Sequence, residues 1–329
     1  MYIVHNSSID PRYNLALEEY LFRHFDLPGG CLMLWQNQPA VIVGRYQNTY
    51  EEVNHDFIRS NGIEVVRRIT GGGAVYHDLG NVNFSFVDSS AVSAIDFAAY
   101  NSKIMAGLAE MGVETELNGR NDISINGKKF SGNAQVIHKG KILHHGTILY
   151  DANLDHVQEA LSVRPDKYES KGIKSVRSRV ANISDHLVQK VPVQEFMSIL
   201  IKALARDSNF QEYALTNDDN AAIIRLQNEK YANWNWNYGA APPFNFKKVT
   251  RFPWGNVDVR LEVIEGLIKN VKIYGDFFGL EEIEYVEEKL RHTQYDLQTT
   301  EKVLSTFPLS RYFGSATLDE ISGCFYDLS

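Results

Sequence analysis

The segment Ile123-Ser124-Ile125-Asn126-Gly127-Lys128-Lys129-Phe130 constrains the architecture of this chain more than any other. Asn-Gly between two extended runs supplies the two positive-φ residues of a type I′ turn, which predicts a tight antiparallel hairpin. A second hairpin is predicted around Lys139-Gly140. Hairpin strands mixed with helices, without a regular strand-helix alternation, point to an α+β chain with mixed or antiparallel sheets flanked by helices.

The helices are marked by their ends. Asp10-Pro11 is an N-cap followed by a residue suited to a first turn, and Leu17, Tyr20, Leu21 and Phe25 recur at helical spacing until Pro28-Gly29-Gly30. Glu51 to Arg59 reads as a helix stopped at Asn61-Gly62, and Ile95 to Met111 as one closed by Gly112. Further helices are expected at Leu154 to Leu161, Val193 to Ala205 and Asn220 to Ala232. Cys31 to Trp35, Ala40 to Val43, Ile63 to Ile69 and Val82 to Val87 read as strands. Trp234-Asn235-Trp236-Asn237-Tyr238-Gly239 and Pro242-Pro243 break every periodicity, so a boundary is expected there. It separates a domain over 1–240 from a small α+β accessory domain over 245–329, with strands Val257 to Ile264 and Leu267 to Tyr274. Helices are expected in that second domain at Glu281 to Arg291, Thr300 to Ser305 and Thr317 to Ile321.

Composition narrows the function. A chain of 329 residues with 44% hydrophobic and 22% charged residues buries a sizeable core. A net charge of −8 argues against a broad nucleic-acid-binding face, which needs clustered Lys and Arg. Cys31 and Cys324 are the only cysteines and have no CxxC partner, so neither a disulfide framework nor a zinc site is expected, and a reducing cytoplasm fits. No apolar leader and no run near the roughly 20 residues that span a bilayer is visible.

Four segments carry chemistry. Arg67-Arg68-Ile69-Thr70-Gly71-Gly72-Gly73-Ala74-Val75-Tyr76-His77-Asp78 reads as a strand delivering two arginines into a three-glycine turn. Glycines let backbone N–H groups approach an anion closely, and a neighbouring Arg adds planar charged donors. The pattern is neither a P-loop nor a dinucleotide-binding fingerprint, and three glycines also suit a strained bend between strands. In the second segment, Gly119-Arg120-Asn121-Asp122 leads through the hairpin to Lys128-Lys129-Phe130-Ser131-Gly132-Asn133-Ala134. Adjacent strand residues face opposite ways, so only one lysine enters a given pocket, and Lys129 is the better placed if Phe130 faces the core. Solvated hairpin lysines are the ordinary alternative. Asp122 has the chemistry to hold Mg²⁺ or a ribose hydroxyl, and equally that of a turn former. His144-His145-Gly146-Thr147 places neighbouring imidazoles on opposite strand faces, which suits packing or hydrogen bonding and not zinc chelation. Lys171-Gly172-Ile173-Lys174-Ser175-Val176-Arg177-Ser178-Arg179-Val180 is a cationic stretch suited to phosphate, to an acidic partner or to solvent.

Taken together, these segments in this order and spacing resemble lipoate-protein ligase A, and the part after Pro243 resembles the accessory C-terminal domain of the longer ligases. The resemblance implies a catalytic domain like that of biotin-protein ligases and a two-step, ATP-dependent ligase reaction. Lipoate or octanoate and ATP give an acyl-adenylate, and the acyl group then passes to a lysine of an apo carrier. The implied carriers are the lipoyl domains of 2-oxoacid dehydrogenase complexes or the glycine cleavage H protein, and the implied state is a cytoplasmic monomer without nucleic-acid or membrane partners. By the same resemblance, Lys129 is catalytic and contacts both the acyl carbonyl and the α-phosphate. Arg68, Gly73, Ala74, Val75, Tyr76 and Asp122 hold the nucleotide with Lys129, Gly72 and His77 join it on lipoate, and Asp122 is the Mg²⁺ candidate. Asn133 stands where some relatives carry a small hydroxyl residue, and Thr70 where Ser is common.

The reaction suits these residues. Two anions must meet as charge develops on the phosphoryl oxygens, so fixed cations and Mg²⁺ are natural catalysts. A reactive mixed anhydride calls for a lid, for which Ser162 to Ser178 is the expected loop. The rivals are an ATP-independent octanoyl or lipoyl transferase of the same fold with a thioester on Cys31, a non-catalytic lipoate-binding protein and a biotin ligase. A thiol in an apolar strand is ordinarily inert, and intact Lys129 and Arg68 argue against mere binding.

Overall fold

The computed structural model describes residues 1–24, 28–89, 94–119, 121–161, 179–206, 210–238 and 244–326. Arg120, the expected lid and cationic stretch through Ser178, and the breaker residues 239–243 lie outside the described residues. The chain forms two compact units, one of residues 1–43, 49–68 and 74–237, the other of 44–48, 69–73 and 238–329.

The first unit is organised by an eight-stranded mixed sheet. Its strand order is Gln211–Tyr213, Tyr2–Val4, Cys31–Trp35, Asn81–Asp88, Lys141–Leu149, Lys128–His138, Asp122–Ile125 and Glu116–Asn118. The first three strands run parallel, and every later neighbour pair is antiparallel. Both expected hairpins form on left-handed pairs, Asn126 and Gly127 at φ 50° and 73° and Lys139 and Gly140 at 49° and 78°. A small mixed sheet sets Ala40–Val43 between Glu64–Arg67 and Val75–His77.

Period-two alternation sorts the large sheet into two chemically different faces. Val82, Phe84, Phe86, Ile123, Phe130, Ile142 and Ile148 lie on the first face and form one core with Tyr100, Ile104 and Leu108 of helix Phe97–Ala109 and with Phe196 and Leu200 of helix Val193–Ala205. Asn81, Asn83, Ser85, His145 and Thr147 fall on the second face. It is met by helix Pro11–Arg23, whose Glu18 accepts a hydrogen bond from Ser85 Oγ at 2.6 Å.

Local signals explain most of the helices. Asp10 caps the first by accepting from the backbone N–H groups of Arg12 and Tyr13, with Pro11 opening the first turn. Asp96 caps Phe97–Ala109, and Gly112 turns the chain at φ 80°. The single helix expected over Glu51 to Arg59 is instead two, Thr49–Glu52 and His55–Ser60. Val53 between them is drawn into a β-bridge with Leu161, and Asn54 then caps the second helix.

The second unit is a three-stranded antiparallel sheet, Phe246–Phe252, Gly255–Ile264 and Leu267–Gly275, covered by short helices. Val257, Val259, Leu261, Ile273 and Phe277 pack with Leu290, Leu304, Phe313 and Phe325. Residues 44–48 are knitted into it: Tyr46 stacks on Phe277 at 4.8 Å, Gly275 N–H donates to the Tyr46 carbonyl at 2.7 Å, and Arg45 pairs with Glu282 at 2.5 Å. Among the described residues no helix is long and apolar enough to cross a membrane.

Candidate active site

Lys129 owes its direction to an irregularity in its strand. Asp122 pairs with Gly132 and Ile123 with Ser131, but Ser124 pairs with Lys129, so one extra residue is inserted on the lysine's strand. This β-bulge lets Phe130 and Ser131 both turn inward, each fully buried, and brings Lys129 onto the same face as Gly132 and Asp122. The Lys129 ammonium then lies 2.8 Å from Asp122 Oδ1 and remains 42% exposed, open to a substrate. Gly132 makes the room: a Cβ there would stand 2.9 Å from Lys129 Nζ and 3.0 Å from its Cε. Lys128 points away and is exposed. The lysine's backbone is braced as well, bridging to Val180 and accepting from Ala181 N–H at 3.0 Å.

Beyond it on the same face lies a buried polar network. Trp35 Nε1 donates to Ser85 Oγ at 2.9 Å, Ser85 Oγ donates to Glu18 Oε1, and His145 Nδ1 reaches the same carboxylate oxygen at 2.8 Å. His77, on the small sheet, stands edge-on to Trp35 with ring centroids 6.4 Å apart. Its protonation follows from its neighbours. Asn14 Nδ2 donates to Asn37 Oδ1, which turns Asn37 Nδ2 toward His77 Nδ1 at 3.0 Å. Nδ1 therefore accepts, the ring proton sits on Nε2, and this buried Nε2 has no acceptor among the described residues. Burial, with Arg68 and His145 nearby, pushes the His77 imidazolium down to about 3, so the ring is neutral at physiological pH.

Arg68 is buried and donates from Nη1 to the Ile42 carbonyl at 3.1 Å. Burial lowers it to about 10, with Glu18 opposing the fall and Arg67 adding to it, so it stays cationic at neutral pH. Arg67 has a structural task, gripping Thr49 Oγ1 and the carbonyls of Trp236 and Asn237 while Trp236 Nε1 donates back to its own carbonyl. Ala74 and Val75 are half-buried where the chain re-enters the small sheet. The Tyr76 hydroxyl meets His156 Nδ1 at 3.2 Å, and burial, then Asp78, raises it to about 12. Gly72 and Gly73 group with the second unit. There Gly72 has φ 90°, Gly71 abuts the Phe277 carbonyl so closely that a Cβ would fall 2.2 Å from its oxygen, and Gly73 faces open space.

The two histidines divide as adjacent strand residues must. His144 faces the core, stacked on Tyr100 at 4.9 Å and held by Gln135, while His145 faces the site. Asn133 lies on the core side, donating to the Asn121 carbonyl at 2.9 Å, so its departure from a hydroxyl residue falls away from the site. Glu18, Trp35, Ser85 and Asn83 were not singled out from sequence, yet each left a trace. Leu15, Glu18 and Phe22 share one helical stripe, placing a carboxylate among apolar positions, and Asn81, Asn83 and Ser85 alternate with Val82, Phe84 and Phe86. Cys31 is buried, and burial raises its thiol to about 12, so a thiolate nucleophile is scarce at neutral pH. Among the described residues no group of three His, Cys, Asp or Glu could hold a metal ion.

Known proteins carry the same design. The family model described as the lipoyl protein ligase A/B catalytic domain matches residues 10–205, and that of the bacterial lipoate protein ligase C-terminus matches 241–325. The lipoate-protein ligase LplJ of Bacillus subtilis is 45% identical over 99% of this chain and 100% of its own length. Lipoate–protein ligase 1 of Staphylococcus aureus is 42% identical over 97% and 98% respectively. Among solved structures, P. falciparum LipL1 in complex with lipoate superposes with a TM-score of 0.77 at 26% identity, covering 93% of this chain and 94% of that one. A lipoate-protein ligase A bound with ATP gives 0.63 at 30% identity, covering 72% and 98%. A bipartite lipoate protein ligase described with its E2 lipoyl domain, from Thermoplasma acidophilum, gives 0.67 at 32% identity, covering 74% of this chain and 98% of that one. With both family models in chain order and relatives aligned almost end to end, the chain belongs to the lipoate-protein ligase family.

Proposed function

We propose that this ligase joins lipoate to ATP at the face carrying Lys129, and then passes the lipoyl group to a lysine of an apo lipoyl domain. In the first step a lipoate carboxylate oxygen attacks the α-phosphorus, an O–P bond forms, and pyrophosphate leaves. In the second, the carrier amine attacks the acyl carbonyl, an amide forms and AMP departs; the amine must first lose its proton, since free lysine titrates near pH ~10.4. One observation carries the reading: the Lys129 ammonium is fixed by a bulge, seated over Gly132 and left accessible. A cation there neutralises both the incoming carboxylate and the charge developing on the α-phosphate. Arg68 adds a second fixed positive charge, and by the family resemblance the backbone of Gly73 to Tyr76 is assigned to the nucleotide and Gly72 and the neutral Nε2–H of His77 to the acyl group. Support comes from relatives seen with lipoate and with ATP.

Mg²⁺ enters with ATP in this reading. Magnesium commonly takes one or two carboxylates together with substrate phosphates, and the half-exposed Asp122 beside Lys129 fits as such a ligand. When bound, the ion supplies charge neutralisation at the phosphates. Apo lipoyl domains of 2-oxoacid dehydrogenase complexes, or the glycine cleavage H protein, are the acceptors, octanoate is an alternative acyl donor, and the enzyme works as a cytoplasmic monomer. The test supplies lipoate, ATP and a purified apo lipoyl domain, following AMP release and carrier mass. AMP release matched to a lipoyl-sized mass gain is expected; carrier modification without ATP would overturn the reading in favour of a transferase.

A further inference from the structure

The second face of the large sheet carries a buried amide that the fold leaves unanswered. Asn81 Nδ2 donates to Asn83 Oδ1 at 2.9 Å, which sets the Asn83 oxygen toward Asn81 and leaves Asn83 Nδ2 and Asn81 Oδ1 as the open ends of the pair. That Nδ2 has no acceptor among the described residues, and Asn83 is only 2% exposed. A buried donor left unpaired is destabilising, and its retention calls for a ligand.

Register says where this donor lies. Trp35 pairs with Asn83 and Asn83 with Thr147, whose Oγ1 accepts from Gly132 N–H at 3.3 Å, and Gly132 pairs with Asp122. Trp35, Asn83, Thr147, Gly132 and Asp122 thus form one row across the sheet on the face of the Ser85–His145–Glu18 network. Gly132 is the glycine beneath the Lys129 ammonium, and at ~4.8 Å per strand Asn83 stands about 10 Å from it. The Lys129 head sits over Gly132 on its Asp122 side, so the row between it and Asn83 spans about 10 Å, room for the ~8 Å that a carboxylate needs to accept one hydrogen bond at each end.

We propose that Asn83 Nδ2 donates to the carboxylate of the acyl substrate, holding one oxygen while Lys129 holds the other, so that the acid is oriented before activation. This rests on the acyl-activating reading of the site and adds to it a positioning residue for the acid. The structural alternative is that Asn83 serves only as the acceptor for Asn81, and the two roles predict opposite orders of damage. Asn83→Asp keeps the shape and the acceptor but turns the open donor into an anionic oxygen; Asn83→Ala removes both.

The experiment measures lipoate binding without ATP by calorimetry, lipoate-dependent exchange between pyrophosphate and ATP, and the urea midpoint, for the full chain and both variants. Asn83→Ala is expected to weaken lipoate binding about 10-fold and lower exchange by about 10- to 100-fold, and Asn83→Asp to lose more of both. An Asn83→Asp variant with wild-type binding beside an impaired Asn83→Ala overturns the proposal, as does wild-type binding in both. Should Asn83→Asp fail to fold, Asn83→Ala decides through lipoate against neutral lipoamide. A larger loss for lipoate supports the carboxylate contact, and an equal loss overturns it. Wild-type protein that binds lipoate without exchanging pyrophosphate would refute the activation reading instead, and the binding comparison would still judge Asn83.

Discussion

Replacing Gly132 with alanine should separate the chemistry of this protein from its stability. The Gly132 backbone is not in the left-handed region, so alanine is conformationally acceptable, and the new methyl meets nothing rigid. It meets Lys129, 2.9 Å from Nζ and 3.0 Å from Cε, where ordinary contact needs 3.4–4 Å. The ammonium must retreat by about 0.5–1 Å, enough to disturb its 2.8 Å pair with Asp122. That pair is partly exposed, so its loss costs about 0.2–1 kcal/mol, and alanine's restriction of the unfolded chain returns about 0.4–1 kcal/mol. Folding free energy should therefore change by less than about 1 kcal/mol. Catalytic alignment is far less forgiving, since a misplacement of ~1 Å can cost ~100-fold in rate, about 2.7 kcal/mol of transition-state stabilisation. The assay is lipoate-dependent exchange between pyrophosphate and ATP, beside a urea melt. A folded Gly132→Ala protein with wild-type exchange would show that the position of the Lys129 head does not matter, and would refute the reasoning.

Other outcomes follow from single observations. Lys129→Ala should abolish exchange while leaving the urea midpoint near wild type, and normal exchange in the folded variant would remove the lysine from its role. Cys31→Ser should retain ligation, because burial keeps this thiol protonated; a folded but inactive protein would favour a thioester route. Phe130→Ala should destabilise the first unit by about 3–5 kcal/mol through the cavity it leaves, read as a fall in urea midpoint. Asp219 predicts a pH dependence. Burial alone would raise its carboxyl, but donors from Tyr20, Thr216 and Tyr213 bring it down to about 2 from the ordinary 3.8. Its contribution is complete above the unfolded value and lost as pH falls through the folded one, so the stability gap between wild type and Asp219→Asn should narrow from pH 4 to pH 2. A gap constant over that range would show that the carboxylate form is not what these donors stabilise.

What could be read in advance tracks how local the cause is. Asp10-Pro11, Asn126-Gly127 and the stripe of Val193–Ala205 act within a few residues, and the corresponding elements form where expected. Tyr2–Val4 and Gln211–Tyr213 leave no signal in the sequence because a three-residue parallel strand is defined by distant partners and not by its own pattern. Strand Phe246–Phe252 was hidden by Lys247 and Lys248, which dilute its alternation at a sheet edge. Lys129 was legible through its motif and through the inward turn of Phe130. Glu18 was not, since a carboxylate on a buried helical stripe looks like an error of pattern until Ser85 and His145, far along the chain, arrive to bind it.

The bulge opposite Ile123 and Ser124 makes the spacing between Asp122 and Gly132 a matter of parity. Swapping one side chain for another in this stretch changes the strength of contacts, but ironing out the bulge at constant length would set Lys129 and Gly132, three positions apart, on opposite faces and send the lysine head through to the greasy side of the sheet. Descendants of this protein are therefore free to vary letters here, while the extra residue and the kink it makes can only be kept together or lost together.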